Sequence, residues 1–336
     1  MPDTPIIILA IESSCDDTAA AIVINGVVVS NHTATQKVHE RFGGVVPEMA
    51  SRAHIVNIVP VVDAAIADAG IRKSDISAVA FTRCPGLIGS LMVGACFAKG
   101  FAQALCKPLI DVHHMQAHVL AHFIDNKPEF PFLCLTVSGG HTQIVLVRSH
   151  LDMEVIGQTI DDAAGEAFDK IAKMLGLPYP GGPLVDKLAQ LGDPIRFKFP
   201  LSEMPEYRFS FSGLKTSVRY FIQAQEKANP DFKAQNMNDI CASVQATIIK
   251  MLMTKLTRAA KDLGIKNVGI AGGVSANSGL RKALADAGTT HGWNVFIPKF
   301  EYCTDNAAMV GITAHFKYLN GQFCDLSAVP SAKAAW

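Results

Sequence analysis

The chain has 336 residues, of which 49% are hydrophobic and 18% are charged, which predicts two domains with large buried cores and excludes long disordered segments. Lys plus Arg and Asp plus Glu both number 30, so no net charge attracts nucleic acid, and a polyanionic partner must meet a local patch or a helper protein. No Cys-x-x-Cys pair, signal peptide or apolar run of the about 20 residues that a bilayer requires is apparent, so we expect a soluble cytoplasmic protein without a membrane partner.

The first part of the chain alternates strand and helix patterns. IIILAIES (6–13) predicts a strand that ends in the polar turn SCDDT, and TAAAIVI and GVVVSNHTAT predict the next two strands. Residues 46–70 have helical spacing and a glycine stop, and ISAVAFTRCPG predicts a strand. Residues 90–106 are apolar on nearly all sides, which predicts a buried helix. PLIDVHH then leads into HHMQAHVLAH.

The second part begins near residue 112 and opens as the first does. FLCLTVSGGHTQIVLV (132–147) predicts strand, Gly-Gly turn and strand, and MEVIGQTI predicts a third strand. A helical and loop-rich region (161–265) precedes the strand-turn-helix pattern KNVGIAGGVSANSGLRKALADAG, the strand WNVFIP and the helix TDNAAMVGITAHFKYLNG. The two parts therefore share an architecture, although their residues hardly match.

Three turns have the composition of phosphate or nucleoside sites. In Glu12–Thr18 and Ser138–His141 small polar residues follow a strand, and glycine N–H groups can approach oxygens that a Cβ would block. In AGGVSAN (271–277), Ser275 and Asn277 at a helix start fit a nucleoside pocket. Each turn alone also fits an ordinary hairpin or an ordinary N-cap.

In this order the three turns resemble the actin-like ATPase and sugar-kinase superfamily. The resemblance implies an α/β fold with two ribonuclease-H-like domains and a nucleotide and metal site in the cleft between them. We expect residues 1–111 plus 307–336 to form the first domain, and residues 112–306 to form the second domain with a helical insert. A shared fold does not determine the reaction.

Four histidines fall within HHMQAHVLAH (113–122). On a helix His114 and His118 face the same way, with Cβ atoms about 5–6 Å apart, so both imidazoles could bind one metal. His122 continues that face and His113 points elsewhere, although core histidines bonded to backbone would give the same pattern. A His-Glu-x-x-His protease needs Glu after the first His as general base, and Met115 occupies that position.

Asp305, in EYCTDNAAMVG, is the candidate third ligand. It follows a strand and precedes the last helix, where an acidic side chain could also serve only as an N-cap. Two histidines and one carboxylate leave open positions and suit Fe(II) or Zn.

A closer resemblance extends over residues 6–320. The motifs are IESSCDDTAAAIV, GGVVPEMASRAH, PGLIGSLMVG, HHMQAHVLAH, TVSGGHTQIVLV, DDAAGEAFDKIAKMLGLPYPGGP, FSFSGLKTSVR, AGGVSAN and CTDNAAM. Together they resemble the bacterial family of transferases that form threonylcarbamoyladenosine in tRNA, a family formerly described as sialoglycoprotein endopeptidases.

The resemblance implies transfer of the threonylcarbamoyl group of threonylcarbamoyl-AMP to the exocyclic amine of the adenosine 3′ of the anticodon, in tRNAs that read codons beginning with A. It implies one divalent metal ion, with Fe(II) favoured over Zn, and an adenylate-type ligand, with ATP as an alternative. The implied partners are tRNA, a paralogous non-catalytic subunit of the same fold, a small P-loop ATPase and the synthase that supplies threonylcarbamoyl-AMP.

Site residues follow from the resemblance, motif by motif. His114, His118 and Asp305 correspond to the metal ligands. For a catalytic base, the first turn offers Glu12, Asp16 and Asp17; our hypothesis is Glu12 or Asp16, and orientation of water, metal or backbone is the alternative role. The implied adenylate-binding residues are Val137, Ser138, Gly139, Gly140, His141, Asp169, Gly182, Asp186 and Asn277.

Two surfaces are candidates for macromolecular partners. Residues 196–220 interleave Lys and Arg with aromatic residues, which fits RNA phosphates and bases, although a domain rim with core aromatics fits equally. The helices predicted at 46–70 and 90–106 could contact the paralogous partner or could serve internal packing alone.

The residues alone leave other functions open. An ATP-dependent kinase of the actin-like fold would hold Mg²⁺ through carboxylates and water rather than imidazoles. A nucleotide-binding scaffold would keep its partner function when His118 or Asp305 is replaced by Ala, and a metalloprotease would show cleavage that chelators abolish.

Overall fold

The computed structural model describes residues 4–333, which contain two five-stranded sheets. The first sheet consists of β1 (Ile7–Glu12), β2 (Asp17–Ile24), β3 (Val27–Thr35), β4 (Ala78–Cys84) and β5 (Leu109–His113). The second consists of β6 (Phe132–Val137), β7 (Thr142–Ser149), β8 (Asp152–Gln158), β9 (Asn267–Ala271) and β10 (Asn294–Phe296). The helices are α1 (Pro47–Asp68), α2 (Ile88–Leu105), α3 (His114–Leu120), α4 (His122–Asp125), α5 (Ala164–Leu175), α6 (Gly181–Ala189), α7 (Ser212–Ala228), α8 (Phe232–Gln235), α9 (Met237–Leu263), α10 (Ser278–His291) and α11 (Ala307–Leu319).

The two sheets have the same topology. The strand order is β3-β2-β1-β4-β5 in the first sheet and, read from the opposite edge, β8-β7-β6-β9-β10 in the second. In each, the central strand pairs antiparallel with the strand that follows it and parallel with a strand reached by a crossover. This confirms the predicted α/β class and the predicted duplication of architecture.

β1 shows how the first sheet is stabilised on both faces. All six of its residues are buried, as expected for a strand that lies in the middle of a sheet with both faces covered. Leu9 and Ile11 face the core that α1 and α2 cover, and Ile8 and Ala10 face the core that α11 covers. Because both faces of β1 are covered, its apolar residues must run without interruption. Glu12 is the last residue of β1 and lies at the carboxyl end of the strand.

The structure corrects two expectations about α1 and α2, one about their length as apolar segments and one about the burial of α2. Both helices are long and apolar enough to span a membrane by length and composition alone, although the sequence runs were expected to be too short. Their buried residues pack on the first sheet, as those of core helices do. α2 was expected to be buried on nearly all sides, but only one face meets the sheet, and Ile88 and Met92 are half exposed.

The helices of the predicted insert cover the second sheet. α5, α6, α7 and α9 contribute buried residues to one core with β6, β7 and β9. Most aromatic residues of segment 196–220 lie in this core, where Phe209 and Phe211 are buried and Phe197 and Phe221 have ring centroids 5.0 Å apart. Only one aromatic side chain of that segment, Tyr220, is mostly exposed among the described residues. This favours the domain-rim interpretation over a base-stacking surface.

Contacts divide the chain into two compact units. The first extends to Pro128, includes Arg148–Met153 and resumes at Pro298, and the second comprises Glu129–Val147 and Glu154–Ile297. Residues 112–128, 148–153 and 298–306 thus belong to the first unit, whereas the sequence analysis assigned them to the second domain. The reason is that β5 pairs with β4 and continues directly into α3, which packs against α11.

Candidate active site

α3 presents two of the four histidines together. His114 and His118 lie one turn apart and are buried, with ring centroids 4.6 Å apart and ring planes at 85°. His113 is the N-cap of α3, where its Nδ1 accepts the N–H of Gln116 at 3.4 Å. His122 begins the separate helix α4. α3 therefore ends before His122, which the sequence analysis placed on the same helix face as His114 and His118. Of these three histidines, His114 and His118 share one face of α3.

Asp305 completes this group. Its Oδ1 lies 3.4 Å from Nε2 of His114 and 3.3 Å from Nε2 of His118. The N-cap of α11 is Asn306, whose Oδ1 accepts the N–H of Met309 at 2.9 Å. Asp305 is thus not the cap of this helix, which removes the alternative explanation for its position.

The three side chains fit one divalent metal ion. One ligand atom from each of His114, His118 and Asp305 lies within 4.8 Å of the others. Atoms that share one ion at about 2.0–2.2 Å are themselves separated by about 3.0–3.5 Å, and Oδ1 of Asp305 lies at this spacing from Nε2 of each histidine. Two imidazoles and one carboxylate leave coordination positions for oxygens of a ligand.

Burial and the neighbouring charges shift the pKa values of this group in opposite directions. Burial alone would raise the pKa of Asp305, but the two imidazoles hold it below its usual range. Burial would lower the pKa of His114, but Asp305 and Glu12 raise it well above its usual value. Burial lowers the pKa of His118. Because imidazole binds metal only when it is neutral, a proton on His114 competes with a cation.

Glu12 holds His114 from the other side. It is fully buried, and its Oε2 lies 3.2 Å from Nδ1 of His114. Oε1 accepts the N–H of Ser14 and Oε2 accepts the hydroxyl of Thr82, both at 2.5 Å. A carboxylate at Nδ1 fixes the tautomer that turns Nε2 toward the metal. Both oxygens of Glu12 are engaged, which favours orientation over proton transfer as its role.

The turn after Glu12 is fixed by a residue that the sequence analysis did not select. The ring of His54, on α1, bonds the hydroxyl of Thr18 at 2.7 Å and the carbonyl of Cys15 at 2.9 Å. The sequence did contain a sign that His54 is buried, because His54 lies four residues before Ile58 on the apolar face of α1. His54 therefore ties α1 to the turn that carries the candidate bases.

Asp17 follows this turn as the first residue of β2, beside the half-buried Asp16. Burial, reinforced by the charge of Asp305, raises the pKa of Asp17 to about 7. Its Oδ1 is buried without a hydrogen-bond partner. Asp17 therefore stays beside Asp16 among the carboxylates of this segment that could serve as a base.

In the second unit, the turn Ser138–His141 closes on itself. The N–H of Ser138 donates to the carbonyl of His141 at 2.8 Å, and the N–H of His141 donates to Oγ of Ser138 at 3.1 Å. Val137 ends β6 and is buried, whereas Gly139 and Gly140 are exposed. The turn thus presents two glycine amides at the surface of its unit.

Two other glycines pack against the backbone of this turn. A Cβ on Gly165, at the start of α5, would lie 2.5 Å from the carbonyl oxygen of Ser138. Gly272 has φ +84°, and its Cβ would lie 2.6 Å from the carbonyl oxygen of Val137. Only glycine permits this approach, and the contact of Gly272 with Val137 brings the SGGH and AGGVSAN turns close together.

Among the remaining predicted adenylate-binding residues, Asp169 and Asp186 each accept hydrogen bonds from neighbouring segments. Oδ1 of Asp169 accepts the N–H groups of Gly181 and Gly182 at 2.9 and 3.0 Å. Asp186 accepts the N–H and the hydroxyl of Ser278 at 2.9 and 2.7 Å. Asn277 is the N-cap of α10. Carboxylates therefore hold the PGGP segment and the first residue of α10, which directly follows AGGVSAN.

Solved structures share this fold. Component A of (R)-2-hydroxyglutaryl-CoA dehydratase from Acidaminococcus fermentans is 15% identical, with a TM-score of 0.54 over 94% of this chain and 99% of that chain. Full-length HypF, in a phosphate- and nucleotide-bound form, gives a TM-score of 0.61 at 15% identity over 96% of this chain and 47% of that chain. At this identity the likeness concerns the fold alone, and it agrees with the expected actin-like architecture.

Sequence relatives are much closer. The family model for tRNA N6-adenosine threonylcarbamoyltransferase (TsaD) matches residues 27–312. Proteins of that name from Christiangramia forsetii and Porphyromonas gingivalis are 61% and 59% identical. The alignments cover 99% of both chains in the first case and 98% of both in the second. The chain therefore belongs to the tRNA N6-adenosine threonylcarbamoyltransferase family.

Proposed function

We propose that the chain transfers the threonylcarbamoyl group of threonylcarbamoyl-AMP to the exocyclic amine of the adenosine 3′ of the anticodon, in tRNAs that read codons beginning with A. Its family membership makes it a transferase that modifies tRNA rather than a kinase. The observation that supports this chemistry most is the convergence of His114, His118 and Asp305. Imidazoles do not suit the Mg²⁺ of a kinase.

His114, His118 and Asp305 would hold the metal; two imidazoles and one carboxylate suit Fe(II), which we favour, and Zn is the alternative. When bound, the metal supplies Lewis acidity and a template for the oxygens of the donor. Glu12 orients His114 through Nδ1, and Ser14 and Thr82 in turn hold Glu12.

The adenylate would occupy the second unit. Gly139 and Gly140 are exposed in the Ser138–His141 turn, where their N–H groups would suit phosphate or oxyanion charge. AMP is already a good leaving group and the adenine amine is a poor nucleophile, so holding donor and acceptor in position is the main requirement. The proposed binding residues are Val137, Ser138, Gly139, Gly140, His141, Asp169, Gly182, Asp186 and Asn277.

A base would take the proton that the adenine amine loses. Glu12 and Asp16 are the candidates from the sequence, and the contacts of Glu12 point to orientation instead. Asp16 and Asp17 are then the carboxylates to compare, and the variants Asp16→Asn and Asp17→Asn separate them. The variant of the true base would lower kcat while donor affinity stays unchanged.

The partners would be tRNA, a paralogous subunit of the same fold, a small P-loop ATPase and the synthase that supplies threonylcarbamoyl-AMP, all in the cytoplasm. α1 offers the paralogous subunit an apolar surface, because Ile55, Val56 and Val59 are 64%, 71% and 51% exposed. Met92 on the neighbouring α2 adds to it. An exposed apolar patch of this kind is typical of a protein–protein interface.

Val56→Asp is expected to weaken binding of the paralogous subunit at least about 10-fold, since a carboxylate would be desolvated in the interface. Titration calorimetry with the purified subunit measures the change. Val27→Asp is the control, because Val27 is also an exposed apolar residue (64%) but lies on the edge strand β3 rather than on α1 or α2. Equal affinities for both variants would refute α1 as the interface.

Reconstitution tests the proposed reaction directly. Full-length chain, Fe(II), tRNA transcript, threonylcarbamoyl-AMP and the partner proteins are combined, and the nucleosides are then analysed by mass spectrometry. We expect threonylcarbamoyladenosine 3′ of the anticodon in tRNAs that read codons beginning with A. Unmodified adenosine would contradict the proposal, and phosphorylation of a sugar by the pure chain would restore the kinase alternative.

A further inference from the structure

A polar side chain interrupts the buried face of α9. Gln245 lies four residues after Cys241 and three before Ile248, both of which are buried in the core of the second unit. Gln245 is itself only 7% exposed. A buried amide is stable only when its donors and acceptors have partners. The question is which groups Gln245 serves.

Its partners are two of the proposed adenylate-binding residues. Nε2 of Gln245 donates to Oδ1 of Asp186 at 3.1 Å, and Oε1 accepts from Nδ2 of Asn277 at 2.7 Å. Asp186 lies on α6 and Asn277 precedes α10. The side-chain amide of Gln245 therefore links Asp186 to Asn277, two residues that are 91 positions apart in the sequence.

The contact with Gln245 also fixes the orientation of the Asn277 amide. Oδ1 of Asn277 accepts the N–H of Leu280 at 2.9 Å, so its Nδ2 must point to an acceptor, which is Oε1 of Gln245. Asp186 is held in turn by Gln245 and by Ser278. Without Gln245, Nδ2 of Asn277 loses its acceptor. Asp186 loses the hydrogen bond that Nε2 of Gln245, on α9, donates to it.

We propose that Gln245 is a positioning residue for the adenylate: it acts through Asp186 and Asn277 and does not itself touch the ligand. This inference rests on the proposed function, because it assumes that these two residues bind the adenylate. Its effect is on affinity for the nucleotide rather than on the metal group or the transfer step.

Gln245→Met keeps the length and bulk of the side chain and removes both hydrogen bonds. We expect AMP, used as the probe with the full-length chain in calorimetry, to bind about 10- to 100-fold more weakly, as is usual when buried polar partners are left unpaired. In the reconstituted reaction, KM for the donor should rise by a similar factor, while kcat and metal content stay within about 3-fold.

A double-mutant cycle separates positioning from general stability. Because Gln245 acts partly through Asn277, Gln245→Met should weaken AMP binding less in the Asn277→Ala background than in the wild-type chain, and the loss that remains there is the one transmitted through Asp186. The control is Thr247→Val, which removes a buried hydroxyl bonded to the carbonyl of Ser243 on the same helix and should leave AMP affinity unchanged. If Gln245→Met does not melt cooperatively, Gln245→Glu, which keeps the acceptor for Asn277 but loses the donor to Asp186, is measured in its place.

Three outcomes are decisive. Weaker AMP binding that is non-additive with Asn277→Ala supports the inference. Unchanged AMP affinity with a lower melting temperature would show that Gln245 is merely structural and would overturn it. Failure of the wild-type chain to bind AMP would instead overturn the proposed adenylate site.

Discussion

His118→Ala is expected to lower tRNA modification by more than about 100-fold, because it removes one of three metal ligands, and even residues that only orient such ligands contribute 10- to 100-fold. The side chain is buried and its Nε2 faces Asp305 at 3.3 Å, so no other side chain can take its place without rearrangement. Nucleoside mass analysis measures the activity, and elemental analysis of the same sample measures the bound metal.

His291→Ala is the matched control for this variant. His291 ends α10, lies on the surface and stacks near Trp293. It should retain full metal content and activity. If His118→Ala kept both as well, the assignment of the metal group would be refuted. If it kept the metal and lost activity, His118 would have a role other than coordination.

Glu12→Gln is expected to weaken metal binding by about 10- to 100-fold, the usual effect of removing a carboxylate that orients a ligating histidine. Glutamine preserves the shape of this fully buried side chain but lacks the charge that holds Nδ1 of His114. Excess metal should then restore most of the activity. Metal titration followed by the transfer assay measures both effects.

The same experiment distinguishes the two roles considered for Glu12. If Glu12 were the catalytic base, Glu12→Gln would keep its metal affinity, and no excess of metal would restore activity. Glu226→Gln provides the control, because Glu226 is a surface residue of α7 paired with Lys233. Its metal affinity and activity should equal those of the wild-type chain.

Strong periodic patterns predicted most of the fold. The apolar runs before SCDDT and before SGGH became β1 and β6, and their recurrence predicted the duplication that the sheet orders confirm. The burial of α2 was overestimated because a helix meets a sheet along one face only, whatever its composition. The pairing of β5 with β4 was missed because the histidine stretch looked like the start of a new domain.

Helical spacing also identified His114 and His118, and the position of Asp305 before the last helix marked it as a candidate. The contacts that support them could not be read from the sequence. Glu12 meets Thr82 and His114 at separations of 70 and 102 residues, so its orienting role depends on the tertiary structure. The aromatic residues of 196–220 were ambiguous for the same reason, because burial decides between core and stacking surface.

The central claim is that His114, His118 and Asp305 hold one metal ion on which the transfer depends. Anaerobic titration of the full-length chain with Fe(II), followed by X-ray absorption spectroscopy and the transfer assay, tests it most directly. The account predicts one equivalent of bound metal, two imidazole ligands, and activity that rises in proportion to occupancy. Full activity after complete removal of metal, or a metal that binds equally well to His118→Ala, would contradict it.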